Sequence, residues 1–123
     1  MNSSIAKKWV AALRSGDFVQ QQNGLANADR SAHCCLGVLC ELAILDGVEL
    51  DMVAESVLNF TAFDRELYTL PLAVQDWAEL ATSTGELVRS RGGDIERLVD
   101  LNDALGLNFR TIADVIEKHT GQM

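Results

Sequence analysis

Between residues 34 and 45 the chain reads Cys-Cys-Leu-Gly-Val-Leu-Cys-Glu-Leu-Ala-Ile-Leu, apolar or glycine throughout except for Glu41. A run of this length without polar alternation and without a wet stripe predicts a helix buried on nearly every side. It is too short to cross a bilayer, which takes about 20 apolar residues. It therefore has to form the centre of a core, with other elements laid around it. Asp46-Gly47 ends it.

Those other elements are partly written in the pattern. Residues 3–15 predict an amphipathic helix, capped by Ser3 or Ser4, with Ile5, Trp9, Ala12 and Leu13 on one face and Gly16 as its stop. Phe18 to Gln22 is a short extended segment, Asn23-Gly24 a turn signal, and Gly24 to His33 a polar return strand, which together predict a small edge hairpin. Residues 48–69 carry mixed signals, with Val53, Val57, Leu58 and Phe60 hinting at a short helix and alternation fitting other parts. Leu70-Pro71 opens a further helix whose face is Leu70, Val74, Trp77, Ala78 and Ala81. Glu86 to Arg89 predicts a short strand before Arg91-Gly92-Gly93. Two helices follow. Asp94 caps the first, with Ile95, Leu98, Leu101 and Leu105 as its stripe and Gly106 as its break; Asn108 caps the second, with Phe109, Ile112, Ala113 and Ile116 buried. Arg110 with Asp114, and Asp114 with Lys118, sit four apart on its wet face.

The predicted fold is α+β and mostly α: about five helices around the buried 34–45 helix, with one small β-hairpin, in a single domain over residues 1–123. Trp9, Trp77, Leu36, Leu39, Ile112 and Ile116 are the expected core.

Charge narrows the partners. Ten Lys and Arg against 18 Asp and Glu leave a formal net charge of −8. Phosphate backbones and anionic membrane surfaces are both bound through clustered cations, so neither is an expected partner. A basic protein surface is compatible, as is mimicry of nucleic acid, and so is plain solubility. The start, Met1-Asn2-Ser3-Ser4, leads directly into an amphipathic pattern with no signal-peptide core, so a cytosolic location is expected. Three cysteines bunched at 34, 35 and 40 do not make a disulfide framework.

Candidate chemistry is sparse. His33, Cys34, Cys35 and Cys40 lack the spaced pairs of a tetrahedral zinc site, and His119 is the only other histidine, so no metal and no cofactor is expected. Cys34 and Cys35 near a helix start are candidate reactive thiols; the plainer reading is that cysteine packs as a small hydrophobe, with Gly37 admitting a close neighbour. Phe109 to Ile116 looks like the first helix of a helix-turn-helix, but no recognition helix follows. Glu96, Asp100 and Asp103 read as a solvated acidic face. Asn102-Asp103 at a helix end either ties down a loop or contacts a ligand. Phosphate loops, nucleophile elbows and HExxH motifs do not occur.

Several blocks recur together in one order: Trp9 with Leu13-Arg14-Ser15-Gly16, Phe18 and Gln20, Cys34-Cys35-Leu36-Gly37-Val38-Leu39-Cys40, Leu70-Pro71 with Val74 and Trp77, and Leu101-Asn102-Asp103 with Phe109, Ile112-Ala113-Asp114 and Ile116. In this the chain resembles a group of small, uncharacterised proteins encoded by bacteriophages and prophages, over most of its length except residues 41–69. Ala104-Leu105 before Gly106, and Gln21-Gln22 in the hairpin, depart from the family pattern at the turns. The resemblance implies no established chemistry. Small size, acidity and the lack of a catalytic set, taken with that family context, point to a non-catalytic phage or prophage accessory protein in the host cytosol that binds a host component, a host protein first, with counter-defence as a setting and self-association left open. Two alternatives stand beside it. One is a small-molecule binder or sponge for a nucleotide signal, contacting it through Gln20, Arg30, Asn102 and Asp103; the other is a thiol enzyme or redox sensor using Cys34 or Cys35.

Overall fold

In the computed structural model, which describes residues 1–88 and 95–123, the first helix, α1 (Ser3–Ser15), starts one residue earlier than a Ser3 cap and two earlier than a Ser4 cap would place it. Asn2 is its cap: Oδ1 accepts the Ile5 N–H at 3.0 Å. Gly16 ends it in the left-handed region, φ 80°. Ile5, Ala6, Trp9, Val10 and Leu13 are buried.

The segment after α1 departs from the predicted hairpin. Strands β1 (Val19–Gln20) and β2 (Ala32–His33) pair in parallel, Val19 with Ala32 and Gln20 with His33. Asn23 and Gly24 do adopt positive φ, yet the chain they redirect does not return along β1. Leu25 and Ala26, both fully buried, are drawn elsewhere. The Leu25 carbonyl accepts the Cys34 N–H, its N–H donates to the Leu67 carbonyl, and the Ala26 carbonyl accepts the Thr61 N–H. Burial of two apolar residues outweighs a local turn preference.

Helix α2 (Cys35–Leu45) is the centre expected of it: Cys35 through Glu41 and Ala43 are buried. The backbone at Leu25 passes close against it, and Gly37 makes room for it. A Cβ built on Gly37 would stand 1.8 Å from the Leu25 carbonyl oxygen, so no side chain fits there.

Residues 48–69 hold an antiparallel hairpin, not a helix: β3 (Met52–Glu55) and β4 (Phe60–Phe63), in register Met52–Phe63, Val53–Ala62, Ala54–Thr61 and Glu55–Phe60. Helix α3 (Leu72–Ala78) follows with Pro71 as its cap residue. Trp77 is only half buried, a correction to the expected core: its indole Nε1–H donates to Asp46 Oδ2 at 2.8 Å, which holds one end of the ring at the surface.

Strands β5 (Glu86–Val88) and β6 (Ile95–Arg97) form a second antiparallel pair. Arg89, the Arg91-Gly92-Gly93 segment and the Asp94 cap lie outside the described residues. The helix expected over 94–105 is reduced to α4 (Leu98–Asp103), because Ile95 is already committed to β6, and Leu105 lies exposed beyond the helix end. Helix α5 (Phe109–His119) begins as predicted, with Asn108 Oδ1 accepting the Thr111 N–H at 2.9 Å. Asp114 on its wet face turns to α1, pairing with Arg14 at 2.7 Å.

The described residues thus form an α+β, mostly α fold of five α-helices and paired short strands. Helix α1 lies against α5 and α2, and α2 is flanked by α3 and α4. Trp9, Leu36, Leu39, Ile112 and Ile116 are fully buried. No helix among the described residues is long and apolar enough to cross a membrane.

Candidate functional site

The sulfurs are wrapped by the protein. Cys34, Cys35 and Cys40 are all free thiols and fully buried. Cys34 caps α2 with its sulfur, which accepts the Gly37 N–H at 3.4 Å. Burial still pushes its thiol up to about 12, outweighing that hydrogen bond. Cys35 donates to the Leu98 carbonyl at 3.6 Å, and its own carbonyl accepts the Trp9 indole N–H at 2.9 Å. Burial raises Cys35 and Cys40 well above the ordinary thiol range. A reactive thiolate needs an exposed, electropositive setting, and these residues sit in the opposite one. Among the described residues no group of three or more His, Cys, Asp or Glu is placed to hold a metal ion.

Asn102, fully buried at the end of α4, is the hub of a polar cluster. Its Oδ1 accepts from Gln20 Nε2 at 2.9 Å and from the Cys35 N–H at 3.1 Å. Its Nδ2 donates to the Gln21 carbonyl and to Asp103 Oδ1, both at 2.8 Å. Gln20 also donates to the Leu107 carbonyl at 2.7 Å, and Asp103 accepts the Asn23 N–H at 2.9 Å. Three of the four residues considered for ligand contact, Gln20, Asn102 and Asp103, do come together. What they hold is protein: the end of β1, the start of α2 and the α4–α5 loop. Every polar atom of the Asn102 amide is engaged within the chain.

Arg30 lies elsewhere. It sits at φ 58°, and its guanidinium forms a two-pronged ion pair with Glu41, Nε to Oε2 at 3.0 Å and the second nitrogen to Oε1. His33 Nε2 is 2.7 Å from Glu41 Oε2. Burial alone raises the Glu41 carboxyl, but the hydrogen bonds from His33 and Arg30 and the charge of Arg30 overcome it and hold the group at about 2. His33 Nδ1 is buried and has no hydrogen-bond partner, while Phe18 stands edge-on to the ring, centroids 5.5 Å apart. The tautomer with its proton on Nε2 donates to Glu41 and leaves Nδ1 a bare acceptor instead of a stranded donor. The lone charge of an apolar helix is thereby neutralised by Arg30 and also hydrogen-bonded by His33, both from the segment just before the helix. Sequence reasoning left Glu41 unpaired; the signal was there, because a charge inside an apolar run requires a partner.

The outer surface differs sharply from this satisfied interior. All four residues of β3 are exposed. Val53 is 58 % exposed, and at the hairpin tip Val57 is 89 % and Leu58 65 % exposed. From Asp46 to Asp64 the chain carries five carboxylates, Asp46, Glu49, Asp51, Glu55 and Asp64, and neither Lys nor Arg. Large apolar side chains therefore lie in water along this hairpin, beside Asp51 and Glu55. This hairpin falls within the 41–69 stretch that the phage-family resemblance does not cover.

These features define a small helical domain with a sealed interior and one exposed apolar hairpin. The chain belongs to the family described as Domain of unknown function (DUF8296), which matches residues 1–120. No curated protein and no solved structure matches it.

Proposed function

We propose that this chain is a non-catalytic phage or prophage accessory protein that acts in the host cytosol by binding a host protein, in the setting of counter-defence. The observation that carries this reading is the β3–β4 hairpin, which keeps Val53, Val57 and Leu58 in water beside Asp51 and Glu55. Supporting it, the polar groups with chemical potential are occupied internally: Asn102 by four protein partners, Glu41 by Arg30 and His33. The phage setting rests on the sequence resemblance.

The test is capture of a host protein in stoichiometric amount by the tagged chain from bacterial lysate, followed by reconstitution from purified components. Loss of that complex in the double variant Val57→Asp/Leu58→Asp supports the reading. A lysate that returns no stoichiometric partner contradicts it.

A further inference from the structure

The hairpin has a free edge with a definite hydrogen-bonding register. In an antiparallel ladder, alternate residues of a strand turn their N–H and C=O toward the partner and the others turn them away. The Asp64 N–H donates to the Asp51 carbonyl, so Asp51 faces β4, and so by alternation do Val53 and Glu55. The opposite phase is fixed independently from β4. The N–H groups of Thr61 and Phe63 leave the hairpin altogether, donating to Ala26 and Glu66, and these are the residues opposite Ala54 and Met52. Met52 and Ala54 therefore direct their N–H and C=O to the outside. Among the described residues no strand pairs with that side of β3, whereas β4 is bridged on its far side through Ala26 and Thr61. The sheet also stops one strand short of covering itself: Thr61 and Phe63 are buried, yet Met52 and Ala54 on the same face are exposed.

We infer that β3 is a docking edge that accepts an extended, lysine- or arginine-bearing segment of a partner protein as an added strand, through the backbone of Met52 and Ala54. This inference rests on the protein-binding function proposed above. Charge selects the occupant. Asp51 and Glu55 flank the edge inside a stretch that has five carboxylates and no Lys or Arg, so a basic strand is drawn in and its cations find partners at alternate positions. The same arrangement disfavours a second copy in the register centred on Val53. Two β3 edges paired antiparallel about Val53 would set Asp51 of each directly opposite Glu55 of the other, four carboxylates across one short ladder.

The probe is a synthetic peptide of alternating Lys and Val, about ten residues long, with an alternating Glu and Val peptide as control. Each is titrated into the full chain while individual amides are followed by NMR and hydrogen exchange. Binding of the Lys peptide with new protection at Met52 and Ala54, and none from the Glu peptide, is the expected result. Ala54→Pro removes an outward N–H without removing a β3–β4 hydrogen bond, and should abolish that protection. Should the proline variant fold poorly, Asp51→Lys/Glu55→Lys should weaken binding at least about tenfold and flatten its salt dependence. Protection elsewhere, or none, overturns the inference. So does a dimer lost on Ala54→Pro, which would make a second copy the occupant. A host complex that persists in both variants overturns the docking edge and leaves the protein-binding function standing; absence of any host complex removes that function instead.

Discussion

The backbone N–H of Cys35, at the start of the central helix, donates to the side-chain oxygen of Asn102, 67 residues further along, at 3.1 Å. One buried amide thereby ties the first turn of α2 to α4, while its other contacts hold the end of β1. The oxygen it offers is a cap for a helix whose own cap is a sulfur, a weak acceptor.

Replacing Asn102 removes an acceptor for two donors and a donor for two acceptors inside the core. Asn102→Ala should cost about 3 kcal/mol, roughly 10 °C or more in Tm, because buried partners are left unpaired. Asn102→Asp should be no better, since a second carboxylate would face the Gln21 carbonyl and Asp103 where an amide N–H now donates. Thermal melts followed by circular dichroism measure both.

Gly37 touches the Leu25 carbonyl so closely that a single methyl group collides with backbone. Gly37→Ala should destabilise by about 3 kcal/mol or more, although alanine has the higher helix propensity. Denaturant titration, with the midpoint compared at constant slope, checks it. An alanine variant as stable as the native chain would contradict the close approach.

Glu41 makes stability depend on acid. Its folded-state value is depressed from 4.5 to about 2, so its contribution is present above the unfolded value and is lost as pH falls through about 2. Glu41→Gln should lower stability near neutral pH by about 1–3 kcal/mol, discounted for the partial exposure of Arg30. The variant should then show a flatter decline than the native chain between pH 4.5 and about 2. Melting temperatures across that interval decide it; parallel curves would contradict the depressed carboxyl.

The hairpin tip should be silent for folding. Val57→Asp and Leu58→Asp replace side chains already in water, so each should shift stability by no more than about 0.5 kcal/mol. Losses of several times that size would mean the tip is packed in solution.

Elements whose burial follows a helical period were legible. Helix α5 shows its stripe and its Asn108 cap in the sequence, α1 shows its stripe and its Gly16 stop, and the apolar 34–45 segment shows its central place. What was hidden depends on distant partners. Asn23-Gly24 looks like a hairpin turn, but Leu25 and Ala26 are claimed by Cys34, Leu67 and Thr61, which no local pattern announces. Strand β3 was unreadable because it is exposed on both faces and so has no alternation to display. The four residues considered for ligand contact divide for the same reason. Gln20, Asn102 and Asp103 share a cluster, whereas Arg30 is captured by the one carboxylate inside α2.

The three buried sulfurs are packing, and the proposed function places all activity on the surface. Thiol titration of the native chain with an aromatic disulfide tests this directly. Cys34, Cys35 and Cys40 should all stay unlabelled until denaturant is added and then react together. Prompt labelling of Cys34 or Cys35 in the folded protein would show an accessible sulfur where the structure has a sealed core, and would contradict the account.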